Sequence, residues 1–324
     1  MSVFLPSLKK SGHLDRIHMT LCIVGSRKLE NQDDYGTQGW NIFAPNLTIY
    51  GFDADPEACD HANADVEARQ INWVEKHIPL ALWNCEGTFP LYVTNFTGCS
   101  SLYPPNESYV ERFSGYLDLF KLITTVEIDT TTLDSFCASE GIEEIDFIHL
   151  DVQGAELQVL QGASSVLERS VLAVVTEVNF TELYINQPLF SDVDVYLRKQ
   201  GFTLGDLTIT TGRGCRTISP IIYKLHPGFL LWADAFYFRD PIRKDLFNNI
   251  STPDRILKLA CIADVLNFPD YALELLAYLT RNYGDDKNYN FAKNIIDTLS
   301  IIPEAIQQGL DSLPIITEMR NYIN

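Results

Sequence analysis

Four acidic side chains, one histidine and a few glycines are spaced along this chain in a way that can do chemistry. Asp53 closes the apolar run LTIYGFD (47–53), with Phe52 beside it. An acidic residue at the end of a second strand accepts hydrogen bonds from ribose hydroxyls. Asp151 closes IDFIHLD (145–151), and Gly154 just beyond it permits a tight turn and close backbone approach to a ligand. The carboxyl ends of strands in an open α/β sheet face the ligand crevice, so Asp151 is placed to meet a ligand. His149 shares a strand face with Asp151. Its ordinary pKa near 6.5 makes it a base for neutral pH, the alternative being a structural strand histidine. Glu177 lies near the end of VLAVVTEV (171–178), and carboxylates on adjacent strand ends can orient a hydroxyl, one of them acting as base. Each has a plainer reading. Asp53 precedes a helix, although Asp55 fits the capping position better; Asp151 and Glu156 suit the cap and first turn of the next helix; Glu177 suits a backbone-bonded edge.

Gly25, at the end of the first apolar run MTLCIVG, marks the other half of a cofactor loop. No G-x-G-x-x-G follows it, the next glycines being Gly36 and Gly39. That counts against a nicotinamide-dependent oxidoreductase, which needs the glycine turn against a pyrophosphate. The seven cysteines hold no C-x-x-C pair and the six histidines no H-x-x-x-H cluster. The dispersed cysteines suit reduced thiols, and no protein-built metal site is expected. A divalent ion shared by Asp151 and Glu177 would rest on two separated carboxylates alone.

The elements that must position these residues alternate. Strands are predicted at 19–25, 47–53, 77–83, 88–94, 123–129, 145–151 and 171–178, with helices after Pro56, near Thr132–Phe136, at 155–168 and at 189–200. Such alternation predicts βαβ units on a mainly parallel sheet. Phe202–Thr211, Pro220–Lys224 and Phe229–Phe238 read as closing strands, and 97–106 as a turn-rich loop. After Asp240-Pro241 the pattern changes to helical period at 254–266, 269–281, 288–300 and 302–312, with prolines near the ends. The expected organisation is an α/β unit over 1–240 and a helical extension over 241–324.

The net charge of −19 divides as −16 over residues 1–240 and −3 over 241–324. So acidic a first unit repels a phosphate backbone and makes nucleic acid an unsuitable partner. No apolar run reaches the roughly 20 residues of a membrane helix. In MSVFLPSLKKSGHLDRIH the lysines follow the short apolar piece, the reverse of a secretory signal, which predicts a cytoplasmic protein.

The wording of IDFIHLDVQGAELQVLQGA (145–163), with VVTEVNF and QPLFSDVDVYLRKQGF downstream, resembles the FkbM-type family of S-adenosylmethionine-dependent methyltransferases. The resemblance covers most of residues 20–240. It implies a Rossmann-like class I methyltransferase sheet with helices on both faces and an antiparallel edge, the all-α extension being additional. It implies S-adenosylmethionine as cofactor, held by Gly25, Phe52, Asp53, Ala81, Leu82, Trp83 and Asp151. It implies Ser100, Ser101 and Tyr103 in a serine-rich loop, with Gln153 and Glu156, on the acceptor side; Tyr184, Gln187 and Phe190 also match. Two positions depart from the family: Ile23 replaces an acidic residue and His149 a more usual lysine. The implied activity is O-methylation of a sugar, glycan or secondary-metabolite hydroxyl, with Asp151, His149 and Glu177 as catalytic candidates. The alternative is a degenerate, non-catalytic methyltransferase-like module that binds a partner through its helical tail; for the enzyme, the tail either closes over the acceptor site or forms a homodimer.

Overall fold

The computed structural model describes residues 2–28, 36, 38–219, 221–243 and 251–323. The strands are β1 (Met19–Val24), β2 (Leu47–Asp53), β3 (Val74–Pro79), β4 (Ala81–Leu82), β5 (Gly87–Thr94), β6 (Leu122–Thr131), β7 (Phe147–Leu150), β8 (Ala173–Asn179), β9 (Phe202–Thr208), β10 (Arg213–Gly214), β11 (Phe229–Leu230) and β12 (Trp232–Arg239). Seven form the central sheet in the order β3-β2-β1-β7-β8-β12-β9. The first five run parallel, and β12 lies antiparallel to both neighbours. All six residues of β1 are buried, as a parallel strand covered on both faces requires. The architecture is the α/β, Rossmann-like class I fold, with helices after the sheet strands and at the C-terminus.

The antiparallel strand is not at the edge. The helix Phe190–Lys199 carries the chain from β8 past one strand position to β9, and β12 returns into the slot between them. Residues 221–228 form no strand. Pro220 lies outside the described residues; Ile221 and Ile222 are exposed, and Tyr223 accepts from the His226 N–H at 3.1 Å to close a turn. The stretch 77–83 is also not one strand. β3 ends at Pro79, a bond from Leu80 N–H to the Ile78 carbonyl (2.9 Å) bends the chain, and β4 joins a second sheet of order β4-β6-β5. There β5 and β6 make a long antiparallel hairpin. The helix expected over 155–168 is two, Glu156–Gly162 and Ser164–Arg169.

Each sheet face has its own core. Val24, Phe52, Ile148, Leu150, Val174 and Val178 face the helices Leu133–Glu140, Glu156–Gly162, Ser164–Arg169 and Phe190–Lys199. The alternate residues Leu21, Ile23, Ile49, Phe147, Ala173 and Val175 meet the N-terminal helix Leu5–Lys10 and the helices Pro253–Val265, Pro269–Tyr283 and Ala292–Leu299. Period two along every strand produces this division. Two buried carboxylates tie the layers together. Asp264 accepts from the backbone N–H groups of Val3, Phe4 and Leu5 at 2.8 Å each, and Asp146 accepts from Thr20 N–H (2.9 Å) and Lys258 Nζ (2.8 Å).

Candidate functional site

At the carboxyl ends of β1, β2 and β7 lies a cavity of about 480 Å³, within the range of small-molecule sites. The β5–β6 hairpin and the loop over 97–102 supply its opposite wall, with Leu91, Val93, Val126 and Ile128 as an apolar lining. Gly25, Phe52, Asp53, Ala81, Leu82, Ser100, Ser101, His149, Asp151 and Gln153 all reach the cavity.

Gly25 is required by geometry. Its φ is +81°, and a Cβ there would lie 1.9 Å from the Asp151 backbone oxygen. Its N–H and that of Ser26 both donate to the Phe52 carbonyl at 2.9 Å, so the turn after β1 hangs on the end of β2. Asp53 is fixed by the same turn: Oδ2 accepts from Arg27 N–H (3.2 Å) and Oδ1 from Asp55 N–H (2.9 Å). Each oxygen has two acceptor positions, so among the described residues one on each is left for an incoming pair of hydroxyls. Burial raises the Asp53 carboxyl above its ordinary pKa, and the two N–H donors oppose that rise. Asp55, not Asp53, caps the helix Pro56–Arg69, accepting from Glu57 N–H at 2.9 Å. Arg27 spans the rim, paired with Asp55 and donating to Thr97 Oγ1 at 3.1 Å.

The turn after β7 is built from two successive left-handed residues, Gln153 (φ +55°) and Gly154 (φ +95°). Gln153 Nε2 donates to Asp151 Oδ1 (2.6 Å), and Ser101 Oγ donates to the Gln153 carbonyl (2.7 Å). Asp151 is exposed and does not cap the next helix, whose N-cap is Ala155. Glu156, buried in that helix's first turn, instead reaches back so that Oε1 accepts from Val152 N–H (3.0 Å) and Gly154 N–H (3.1 Å). Tyr184 and Gln187 support the turn from behind. The Tyr184 hydroxyl is 2.8 Å from both the Cys99 carbonyl and Gln153 Oε1, and Tyr184 N–H donates to Gln187 Oε1 (2.6 Å).

His149 sits between Ile23 and Val175 on the neighbouring strands, and burial drives it down to about 4, so the ring is neutral at neutral pH. Glu177 lies on β8 directly opposite Asp234 of β12. One ligand oxygen from each of Asp151, Glu156 and Glu177 falls within 4.8 Å of the others. Burial pushes Glu156 up to about 7, with the Asp151 charge adding. Glu177 is raised well above the carboxylate range by burial and then by Asp151, Glu156 and Asp234. Asp234 reaches about 6 for the same two reasons, burial first and the Asp151 charge second.

Other expected site residues stand back from the cavity. Trp83 leans on Phe89 and Tyr103 at 5.8 Å each, and its carbonyl fills the space beside Gly162. Tyr103 is held by its N–H bond to Ser101 Oγ (3.0 Å), and Phe190 packs on Phe180 at 5.3 Å. Arg27, Thr97, Asn179, Asp234 and the hairpin wall escaped the sequence reading. The visible signals were there for two: Asp234 is the lone acid in WADAFYF, and Asn179 follows Glu177 by one strand period.

The model of the methyltransferase FkbM domain matches residues 41–204, half of the chain. The 2-O-methyltransferase NoeI of Sinorhizobium fredii is 38% identical over 71 residues, which are 22% of this chain and 29% of that protein. The chain therefore aligns with under a third of that relative's length. Among solved structures, methyltransferase FkbM from Methylobacillus flagellatus KT is 10% identical with a TM-score of 0.39, covering 68% of this chain and 43% of that one. The magnesium protoporphyrin IX methyltransferase of Synechocystis PCC 6803 is 11% identical with a TM-score of 0.32, covering 73% and 76%. The matched segment runs from just before β2 to β9 and contains Asp53, the serine loop, Asp151 and Glu177. The chain belongs to the methyltransferase FkbM domain family.

Proposed function

We propose that this chain is a methyltransferase that uses S-adenosylmethionine to methylate a hydroxyl oxygen of a sugar, glycan or related metabolite. One observation carries the reading: a single cavity brings together Asp53, with two acceptor positions to spare, and the carboxylate of Asp151 beside a neutral His149. The first suits a ribose diol and the second a hydroxyl acceptor. The apolar wall of Leu82, Leu91, Val126 and Ile128 suits a flat base. Bound there, the sulfonium would supply an electrophilic methyl group.

The protein's share of the work is orientation and proton removal. Holding two reactants in line supplies roughly 7–11 kcal/mol of barrier reduction. Base assistance to the attacking hydroxyl contributes about 10²–10⁴-fold. Asp151, anchored by Gln153 Nε2, is the group we assign to receive the hydroxyl proton, with neutral His149 orienting the acceptor. Ser100 and Ser101 would supply polar contacts on the acceptor side.

The test joins calorimetry to a product screen. S-adenosylhomocysteine should bind the parent, and Asp53→Ala should weaken it by about 10–100-fold, the worth of one or two hydrogen bonds to a charged group. A panel of polyols, monosaccharides and oligosaccharides should then yield S-adenosylhomocysteine from the methyl donor. Turnover with amines or thiols and none with hydroxyl compounds would overturn the oxygen acceptor. Equal binding by parent and Asp53→Ala would overturn the cofactor assignment.

A further inference from the structure

We propose that Asp151, Glu156 and Glu177 bind one hard divalent cation, such as Mg²⁺, Mn²⁺ or Ca²⁺, beside the cavity. The inference deepens the proposed hydroxyl methylation but rests on separate observations. The three carboxylates come from three different elements: the end of β7, the first turn of the following helix, and β8. Their ligand oxygens nevertheless converge within 4.8 Å of one another. Three oxygens each about 2.0–2.6 Å from one ion have that mutual spacing. The set is all oxygen, which selects hard cations over zinc or copper.

Convergence of like charges calls for compensation. Glu156 is aimed by the main chain: its Oε1 takes both the Val152 and Gly154 N–H bonds, which leaves Oε2 outside that pair.

A second observation concerns an amide beside the acids. Asn179, on the same face of β8 as Glu177 and only 2% exposed, turns its amide to that carboxylate. Among the described residues, its Oδ1 has no hydrogen-bond partner. A buried amide in that condition is uncommon and calls for a partner. An ion with its water shell provides one, Oδ1 serving as a further oxygen ligand or as acceptor from metal-bound water. The site abuts the cavity through Asp151, so the cation would lie where an acceptor hydroxyl is deprotonated, lowering the pKa of that hydroxyl.

The experiment uses the full chain, freed of metal with chelator and without cofactor or acceptor. Mn²⁺ is titrated up to about 10 mM, ten times the weak end of protein oxygen sites, and free ion is read by its electron paramagnetic resonance. The parent should bind one Mn²⁺, displaced by Mg²⁺ or Ca²⁺. Glu177→Gln and Asn179→Ala should weaken binding by about tenfold or more, with circular dichroism showing both folded. Asp53→Ala should bind Mn²⁺ as the parent does. No saturable site in the folded parent, or equal affinity in parent and Glu177→Gln, overturns the proposal. Neither result touches cofactor binding, which the homocysteine titration reads by itself, so the two proposals fail separately.

Discussion

Gly25→Ala separates the two costs built into the cofactor turn. At φ +81° any L side chain is in left-handed territory, which costs roughly 1–2 kcal/mol. The added Cβ would also stand 1.9 Å from the Asp151 carbonyl oxygen, where real Cβ contacts stay beyond 3.0 Å. To relieve that contact the ends of β1 and β7 must part by about 1 Å. The bond from Asp151 N–H to the Val24 carbonyl, at 3.0 Å, closes that end of the ladder and is lost or stretched when they do. One such bond is worth about 0.5–1.5 kcal/mol net, and disturbed packing of buried Val24 and Leu150 adds a similar amount. The total expected destabilisation is therefore about 2–5 kcal/mol.

Gly115→Ala is the control. Its φ is +82°, but nothing lies within 4 Å of the position its Cβ would take. That variant should lose only the conformational part, about 1–2 kcal/mol. Urea unfolding of the three proteins gives both quantities, and homocysteine titration gives the functional one. Gly25→Ala should also weaken S-adenosylhomocysteine binding, since Asp53 accepts from Arg27 two residues past Gly25. Equal destabilisation by the two alanines would refute the close-approach argument, and unchanged cofactor binding in Gly25→Ala would refute the link from turn to pocket.

Two further predictions concern the frame. Glu75, buried at the edge of the sheet, should give a distinct acid response. Burial alone would raise its carboxyl, but bonds from His77 Nε2 (3.2 Å), Trp73 Nε1 (3.0 Å) and Lys28 Nζ (3.1 Å) outweigh it and hold the pKa near 2, against an ordinary 4.5. A depressed carboxyl adds stability that is present above the unfolded pKa and lost as pH falls through the folded one. This contribution of roughly 3 kcal/mol should be lost in the parent between about pH 4.5 and 2 and be absent from the Glu75→Gln variant's own curve; parallel curves would sink the idea. Lys258→Met leaves buried Asp146, among the described residues, with only the Thr20 N–H, and the expected loss is about 3 kcal/mol in urea unfolding. Adding Asp146→Asn should return part of it, because the amide oxygen still accepts from Thr20.

The parts of this fold that a sequence reading reaches are those whose signal is local. β1, β2 and β8 announce themselves as largely apolar runs because both faces are covered, and the acids near the ends of β2 and β8 mark the ligand side. The helix starts at Pro56, Pro253 and Pro269 were equally visible, since proline at the first turn gives up no hydrogen bond. What failed was the partition of strands between two sheets. Residues 77–83 look like one strand, and only the bend at Leu80, a bond of two residues' span, sends Ala81 and Leu82 to a different sheet. Composition does not register a bond of that kind.

The helical tail illustrates the harder limit. Its apolar period is plain, yet period says nothing of which surface receives it. In the structure Leu257, Ile262 and Leu275 join Phe4, Leu5 and Leu8 from the other end of the chain in the core beneath the sheet. Asp264 fixes this arrangement by accepting three N–H groups from the start of a helix whose own residues carry no sign of that partner. The same limit governs the site. Glu156 reads as a dipole-favoured acid in a first turn, and Glu177 as the end of a strand; that they share one small volume with Asp151 depends on parallel register between β7 and β8 and on two left-handed residues at 153 and 154. Gly154 was legible as a turn. Gln153 was not, because glutamine does not announce a positive φ, and that second left-handed residue is part of the turn over which Val152 and Gly154 both donate to Glu156. Sequence thus names the acids, while backbone conformation decides that they converge.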